Sequence, residues 1–214
     1  MKYLFLFVFY VSALPVALKA QDMASLFISM PDEYILQLEE AWRKDLVELY
    51  RAGKPATLDN TMKGHSTLVQ LTPDYLFLQS SERSAIEMKL LPLINLTNII
   101  CIVTTVSAPV ADSRVAFCTT DWKRLDASDI WTPVTADRFI RDDADRQSEA
   151  FLDALSRMDM DLIRYRLHAE NATMTAEYMT PEYLSQEDRD KVIPFLKTET
   201  LVYQWKTGRY ETPR

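Results

Sequence analysis

The stretch TTVSAPVADSRVAFCTTDW, residues 104 to 122, brings Asp112, Ser113 and Cys118 close together and ends on Trp122. A carboxylate, a hydroxyl and a thiol are the raw materials of a hydrolase or a thiol enzyme. Each needs a base within hydrogen-bond reach, or a depressed pKa, before it serves as a nucleophile. Only two histidines are present, His65 and His168, and neither falls in a recognisable motif. Adjacent strand residues point to opposite faces, so spacing alone does not make Asp112 and Ser113 a relay. The more economical reading has both side chains hydrogen-bonding the backbone of the turn that Pro109 begins. Asp112, Ser113 and Trp122 therefore mark a turn or recognition site, and no residue is assigned a catalytic, cofactor-binding or metal-binding role.

Cys101 and Cys118 flank the same turn. A hairpin pivoting between Pro109 and Val110 sets them opposite each other, at the roughly 4.5 to 5.5 Å separation of cross-strand partners, which overlaps what a disulfide needs. In that register Ile102 meets Phe117 and Thr104 meets Val115. A slip of one residue separates the thiols, and buried free thiols then behave as small hydrophobes. A disulfide between Cys101 and Cys118 is the expectation, with that alternative beside it.

The elements that must hold these residues follow from periodicity. Between Asp22 and Ala52, Ile35, Leu38, Trp42, Leu46 and Leu49 recur three or four apart, which predicts one or two amphipathic helices stopped by Gly53 and Pro55. From Thr57 to Leu125 the period becomes two: Ile86, Met88 and Leu90 alternate with Glu87 and Lys89, as in half-buried antiparallel strands. Ile99 to Val103 is apolar throughout, as in a central strand covered on both faces. DDADRQSEAFLDALSRM predicts a helix with Phe151, Leu152, Leu155 and Met158 on its apolar side and Asp142, Asp143 and Asp145 at its start. That acidic cluster lacks the Gly and Glu that a calcium loop needs at its sixth and twelfth positions, where Ser148 and Ala154 stand. Strands follow around LIRYRLHA and TMTAEYMT, then a helix capped by Ser185 and Asp188, then a last strand, TLVYQWKTGRYE. Arg164, Arg166, Glu177 and Lys206 share a polar face that is either a recognition surface or a set of cross-strand charge pairs. Trp122 and Trp205 are read as closing the ends of the core.

Composition removes whole classes of function. Only three glycines occur, so no GxxxxGK[ST] phosphate loop, GxGxxG turn or GxSxG nucleophile elbow can be written. The opening MKYLFLFVFYVSALPVALKA predicts a secretory signal peptide over residues 1 to 20, too interrupted by Pro15 and Lys19 to span a membrane. Its removal takes away Lys2 and Lys19 and no acids, so the formal charge passes from −7 to −9. So acidic a product suits neither nucleic acid nor an anionic membrane. The remaining roughly 190 residues form one domain with a single good core.

SMPDEYILQL with RKDLVELYRAG, LTPDYLFLQ, IEMKLLP, APVADSRVAFCTTDW, MTPEYLSQEDRDKV and VYQWKTGRY together resemble an uncharacterised family of exported Bacteroidales proteins, a domain of unknown function. The resemblance covers nearly all of the mature chain and transfers no functional residue. It implies a cell-envelope or secreted location, in which Asn95-Leu96-Thr97 and Asn171-Ala172-Thr173 are accidental matches to the eukaryotic glycosylation pattern.

The expected fold is therefore α+β: a curved, mainly antiparallel sheet with N-terminal helices and one or two later helices packed on it. The expected function is that of a non-enzymatic exported binding or accessory protein of the envelope, periplasmic or secreted. It would need no cofactor and have no transmembrane span after cleavage, and its partner would be an envelope protein or an apolar ligand. Two further readings are a carrier of lipid or another apolar ligand, and a hydrolase or thiol enzyme with its site near Asp112, Ser113 and Cys118.

Overall fold

Asp22 opens the first helix, its carboxylate accepting the Ser25 N–H at 2.8 Å as an N-cap. The chain is described here by a computed structural model covering residues 22–212; the expected leader, residues 1 to 20, lies outside the described residues. Helix α1 (Met23–Ser29) is followed by a single 3-10 turn at Asp32–Tyr34 and by α2 (Glu40–Arg51). Arg43 of α2 ties these pieces together. Only 1% exposed, its guanidinium donates to Leu38 O at 2.6 Å, Ile28 O at 3.1 Å, Asp32 Oδ1 at 2.8 Å and Met30 O. It thereby satisfies carbonyls that the C-terminus of a helix leaves unpaired. At the end of α2, Gly53 sits at φ +66°, with Gly53 N–H bonded to Tyr50 O and Lys54 N–H to Leu49 O, both at 3.0 Å. This is the glycine-dependent closure of a helix that periodicity placed here.

Six strands then run as a continuous antiparallel meander: β1 (Thr57–Asp59), β2 (His65–Leu71), β3 (Tyr75–Ser81), β4 (Ser84–Pro92), β5 (Asn98–Ser107) and β6 (Ala111–Thr119). One face, with Leu76, Leu78, Met88, Ile100 and Ile102, packs on α1 and α2. The other, with Val103, Val115 and Phe117, packs on the second half of the chain. Strand β5 is buried from Ile99 to Val103, as its unbroken apolar run requires. The β5–β6 loop has three residues, 108 to 110, so Ser107 faces Ala111 and every pairing shifts by one from the expected register. Cys101 lies opposite Phe117 and Cys118 opposite Ile100. The expected disulfide is therefore corrected: a one-residue shift turns the two side chains to opposite faces of the sheet. Cys101 joins the core between the sheets, Cys118 joins the core under the helices, and both are free.

The second half adds α3 (Glu149–Arg157), β7 (Ile163–Leu167), β8 (Thr173–Tyr178), α4 (Thr180–Tyr183), α5 (Gln186–Val192), β9 (Leu201–Lys206) and β10 (Arg209–Glu211). Its strands form a four-stranded antiparallel sheet in the order β10-β9-β8-β7. The expected last strand is a hairpin, because Thr207 at φ +50° and Gly208 at φ +88° reverse the chain in two residues. Ser185 caps α5 as its spacing to Asp188 predicts, accepting Asp188 N–H at 3.2 Å. Helix α3 departs from expectation. Ser148 is its cap, so Asp142, Asp143 and Asp145 fall in the preceding loop, where Asp142 pairs with Lys197 and Asp143 with Arg141. Phe151, Ala154 and Met158 are buried while Leu152 and Leu155 face outward, a rotation of the apolar stripe set by the packing of Phe151 edge-on to Phe195.

The α+β class with N-terminal helices on an antiparallel sheet is the one expected. The strands divide between two sheets that face each other, neither closed into a barrel.

Candidate functional site

Strand β7 is the free edge of the four-stranded sheet, and such an edge leaves every second N–H without a ladder partner. Here those donors end on side chains of the six-stranded sheet. Ile163 N–H donates to Asp112 Oδ1 at 3.2 Å, Tyr165 N–H to Ser113 Oγ at 3.1 Å and Leu167 N–H to Glu87 Oε2 at 2.9 Å. Two residues beyond the strand, Lys89 Nζ donates to Ala169 O at 2.8 Å. The strand lies across β6, β5 and β4 in turn, stitched at each end by polar side chains.

This seam explains two residues that periodicity places on a solvated face. Glu87 is 6% and Lys89 3% exposed, because the second sheet covers the side of β4 that the alternation left for water. Glu87 Oε2 also accepts the Tyr75 hydroxyl at 3.1 Å. Burial pushes the Glu87 carboxyl above the usual range, against the pull of the Leu167 N–H, the Tyr75 hydroxyl and the Arg166 and Arg164 guanidiniums. Lys89 is answered by Asp74 at 2.8 Å.

The stretch singled out by its chemistry is thus taken up by structure. Asp112 and Ser113 bond β7 instead of the Pro109 turn, a correction that follows from the second sheet lying where sequence alone showed only a hairpin. Ser113 Oγ also lies 2.8 Å from Thr105 Oγ1. His65 Nδ1 is 2.7 Å from Asp59 on β1. From β2 to β6 is four inter-strand steps, about 19 Å, so His65 is remote from Ser113 and Cys118. His168 is three residues beyond Tyr165, about 10 Å further along the chain from the Ser113 contact. Burial pushes both thiols up, Cys101 strongly and Cys118 in spite of the Tyr34 hydroxyl 3.2 Å from its sulfur and the nearby Arg124. Trp122, at φ +62°, packs at 5.3 Å from the Tyr34 ring on the helix-side core, and Trp205 packs on the core between the sheets.

Strand β7 leaves part of the six-stranded sheet's inner face uncovered near the tips of its hairpins. Gln79, Ala85 and Thr105 form one cross-strand row there, with Phe77 and Glu87 in the next. The resulting cleft has a volume of about 130 Å³. Arg83 from the β3–β4 turn and Arg164 and Arg166 from β7 stand around it together with Glu82 and Glu87, and Gln79, Ser84 and Thr105 supply neutral polar atoms. Arg164 is held by its cross-strand partner Glu177, at 2.5 Å from its Nη2 and 3.1 Å from its Nε. Larger hollows exist. One of about 420 Å³ runs along Arg141, Asp142 and Lys197, whose charges already neutralise one another. Another, of about 360 Å³, lies over Asp112, Ser113, Trp131 and Tyr165, where Asp112 and Ser113 already accept from β7.

Comparison with known proteins places this geometry. A family described as "Protein of unknown function (DUF3256)" matches residues 15–210. The chain belongs to the DUF3256 family. A solved structure similar to this DUF3256 chain is that of a domain of an uncharacterized protein from Porphyromonas gingivalis W83. It is 30% identical, with a TM-score of 0.79 over 87% of this chain and 96% of that chain. The resemblance read from sequence, to a domain-of-unknown-function family with a Bacteroidales member, is therefore correct. No curated protein matches the chain. Among the described residues, no helix of this DUF3256 chain is long and apolar enough to cross a membrane.

Sequence reasoning found Arg164, Arg166 and Glu177 as one polar face but missed Arg83 and Glu87 as their neighbours. Arg83 was legible in part, since Ser81-Glu82-Arg83-Ser84 is a polar two-residue turn that must put its side chains at a hairpin tip. Nothing local marks Glu87, because what encloses it comes from residues 80 positions later.

Proposed function

We propose that this DUF3256 chain is a non-enzymatic binding protein of the bacterial cell envelope, exported by its leader. Its recognition site is the arginine-rimmed cleft over β3, β4 and β5, and it receives a carboxylate-bearing segment of an envelope protein. The observation that carries this reading is the convergence of Arg83, Arg164 and Arg166, against Glu82 and Glu87, on one cleft in a chain of net charge −7, with Arg164 already paired to Glu177 and Arg83 and Arg166 therefore the arginines to test. Guanidiniums engage carboxylates through paired N–H donors, and the three arginines outnumber the two glutamates, Glu82 and Glu87, that line the cleft with them. Size limits the ligand: about 130 Å³ is well below the few hundred Å³ of a site that encloses a whole small molecule, and suits one acidic side chain or terminus.

The non-enzymatic reading is supported by thiols held protonated, by a Ser113 hydroxyl occupied by Tyr165 N–H and Thr105, and by the distance of His65 from both. A carrier of apolar ligand needs a continuous apolar cavity, whereas Phe117, Tyr165, Tyr203 and Tyr210 fill the space between the sheets. Nucleic acid is disfavoured by the charge of the chain.

The test is site-specific photo-crosslinking in native envelopes from Thr105, at the cleft, and from Glu187, on exposed α5 away from it. A discrete adduct formed from position 105 alone, and lost in the Arg83→Ala/Arg166→Ala variant, supports the reading. No adduct, or the same adduct from both positions, contradicts it.

A further inference from the structure

Glu87 lines a cleft assigned to carboxylates, although it carries a carboxyl group of its own. Its two oxygens differ. Oε2 accepts the Leu167 N–H at 2.9 Å and the Tyr75 hydroxyl at 3.1 Å. Oε1 receives no hydrogen bond among the described residues. Nor is it sealed in protein: among the described residues, the side-chain polar atoms both buried and unpaired are the indole nitrogens of Trp122 and Trp131 and the Tyr210 hydroxyl. Glu87 as a whole is 6% exposed and lines the cleft, so Oε1 is the atom through which it meets whatever enters.

The groups around this carboxyl do not hold it ionised. On β7, Arg164 is bonded to Glu177 at 2.5 Å, and Arg166 is exposed and attracts Glu87 without a hydrogen bond to it. On β4 itself, Lys89 directs its ammonium to Asp74 and to Ala169 O, both at 2.8 Å. Strand β3 contributes the Tyr75 hydroxyl, and β5 the buried Cys101 thiol, which feels the Glu87 charge. The β3–β4 turn brings Glu82 and Arg83 to the rim. Burial outweighs the attractions and pushes the carboxyl above its usual range. A second carboxylate seated by Arg83 and Arg166 would add a like charge at close range and push it further the same way.

We infer that a carboxylate enters this cleft together with a proton, which sits on Glu87 Oε1 and is donated to the ligand oxygen. The proton comes from solvent and no covalent bond of the ligand changes. The two carboxyls then carry one negative charge between them, opposite Arg83 and Arg166, the arrangement that carboxyl groups held in contact adopt. This rests on the reading of the cleft as a carboxylate site, and adds what that site requires of pH. Proton and ligand each favour the other's binding. Below the pKa of Glu87 in the free chain the carboxyl is already protonated and affinity is level. Above it each ligand must bring a proton, and affinity falls as pH rises. A protonated Glu87 offers a donor where an ionised one offers only acceptors, so one buried atom makes the cleft receptive to carboxylates in acid and closed to them in alkali.

Calorimetric titration of the exported chain with an end-capped peptide rich in Asp and Glu, in buffers of differing ionisation enthalpy, reads both affinity and proton uptake. From about pH 5.5 to 8, above the ordinary carboxylate range of the peptide, the wild-type Kd is expected to rise by up to about tenfold per pH unit, the limit for one proton, with net proton uptake on binding. Glu87→Gln keeps an oxygen for Leu167 and Tyr75 and turns a fixed N–H donor into the cleft. Its Kd is expected to be level over that range and lower than that of wild type at about pH 8. His168→Gln, which removes the histidine two residues beyond Arg166, is expected to keep the wild-type dependence. Wild-type binding that is level with pH and takes up no proton overturns the inference while leaving the cleft reading standing. So does a Glu87→Gln chain that keeps the wild-type slope, or a His168→Gln chain that loses it. Binding by neither wild type nor Glu87→Gln at any pH overturns both. Proton uptake by the wild type decides the matter even where a variant fails to fold.

Discussion

Glu87 Oε2 accepts the main-chain N–H of Leu167 at 2.9 Å, joining the middle of one sheet to the free edge of the other across 80 residues of sequence. With Asp112, Ser113 and Lys89 it turns an exposed strand edge, ordinarily open to pairing with another chain, into an internal contact. The same seam bounds the arginine-rimmed cleft, so the stability of the sheet pair and the shape of the proposed site are one question.

Replacing Glu87 by Ala strands two buried donors, Leu167 N–H and the Tyr75 hydroxyl. The expected cost is about 2 to 4 kcal/mol, since each unsatisfied buried donor is worth roughly 1 to 3 kcal/mol and the two are coupled. Glu87→Gln keeps an acceptor oxygen and should cost less. Urea denaturation measures both, and wild-type stability in Glu87→Ala would mean that the seam contributes nothing.

The raised Glu87 pKa gives a signed pH dependence. A carboxyl whose folded pKa lies above its unfolded value favours the fold fully below the unfolded pKa, and that contribution is lost as pH rises through the folded pKa. Glu87→Gln removes the titration. The stability of the variant relative to wild type should therefore improve as pH is raised from the ordinary glutamate range toward neutrality. A pH-independent difference between the two proteins would contradict the assignment.

Ser113→Ala removes the acceptor for Tyr165 N–H and should cost about 1 to 2 kcal/mol, with faster hydrogen exchange at Tyr165 than at Met174, whose side chain lies deep in the same core. Unchanged stability and exchange would return Ser113 to the list of side chains free for chemistry.

Cys101 and Cys118 lie on opposite faces of their sheet, so no bond between them forms without a change of register. Alkylation in denaturant without reductant should label both thiols in protein purified without reductant, whereas the folded chain reacts slowly. A mass showing that neither is labelled would contradict the β5–β6 register.

Much of this architecture was legible in local pattern. The buried run of β5, the Gly53 stop and the Ser185 cap are short-range features, each requiring only a few neighbours. What was not legible depended on distant segments. The β5–β6 pivot differs by half a step between a three-residue loop and the even-numbered loop assumed, and that half step decides which face each cysteine takes. Glu87 and Lys89 alternate with apolar residues as a solvated face does, and only the arrival of β7 encloses them. For the same reason Arg164 and Arg166 could be seen as a polar face while the cleft they border could not.

The proposed site is tested most directly by titrating the labelled chain with a short peptide rich in Asp and Glu and following main-chain amide resonances. Saturable shifts at Ser84, Thr105 and Arg166, absent in the Arg83→Ala/Arg166→Ala variant, are the predicted result. Shifts that do not saturate, or that persist in that variant, would contradict recognition of a carboxylate at this cleft.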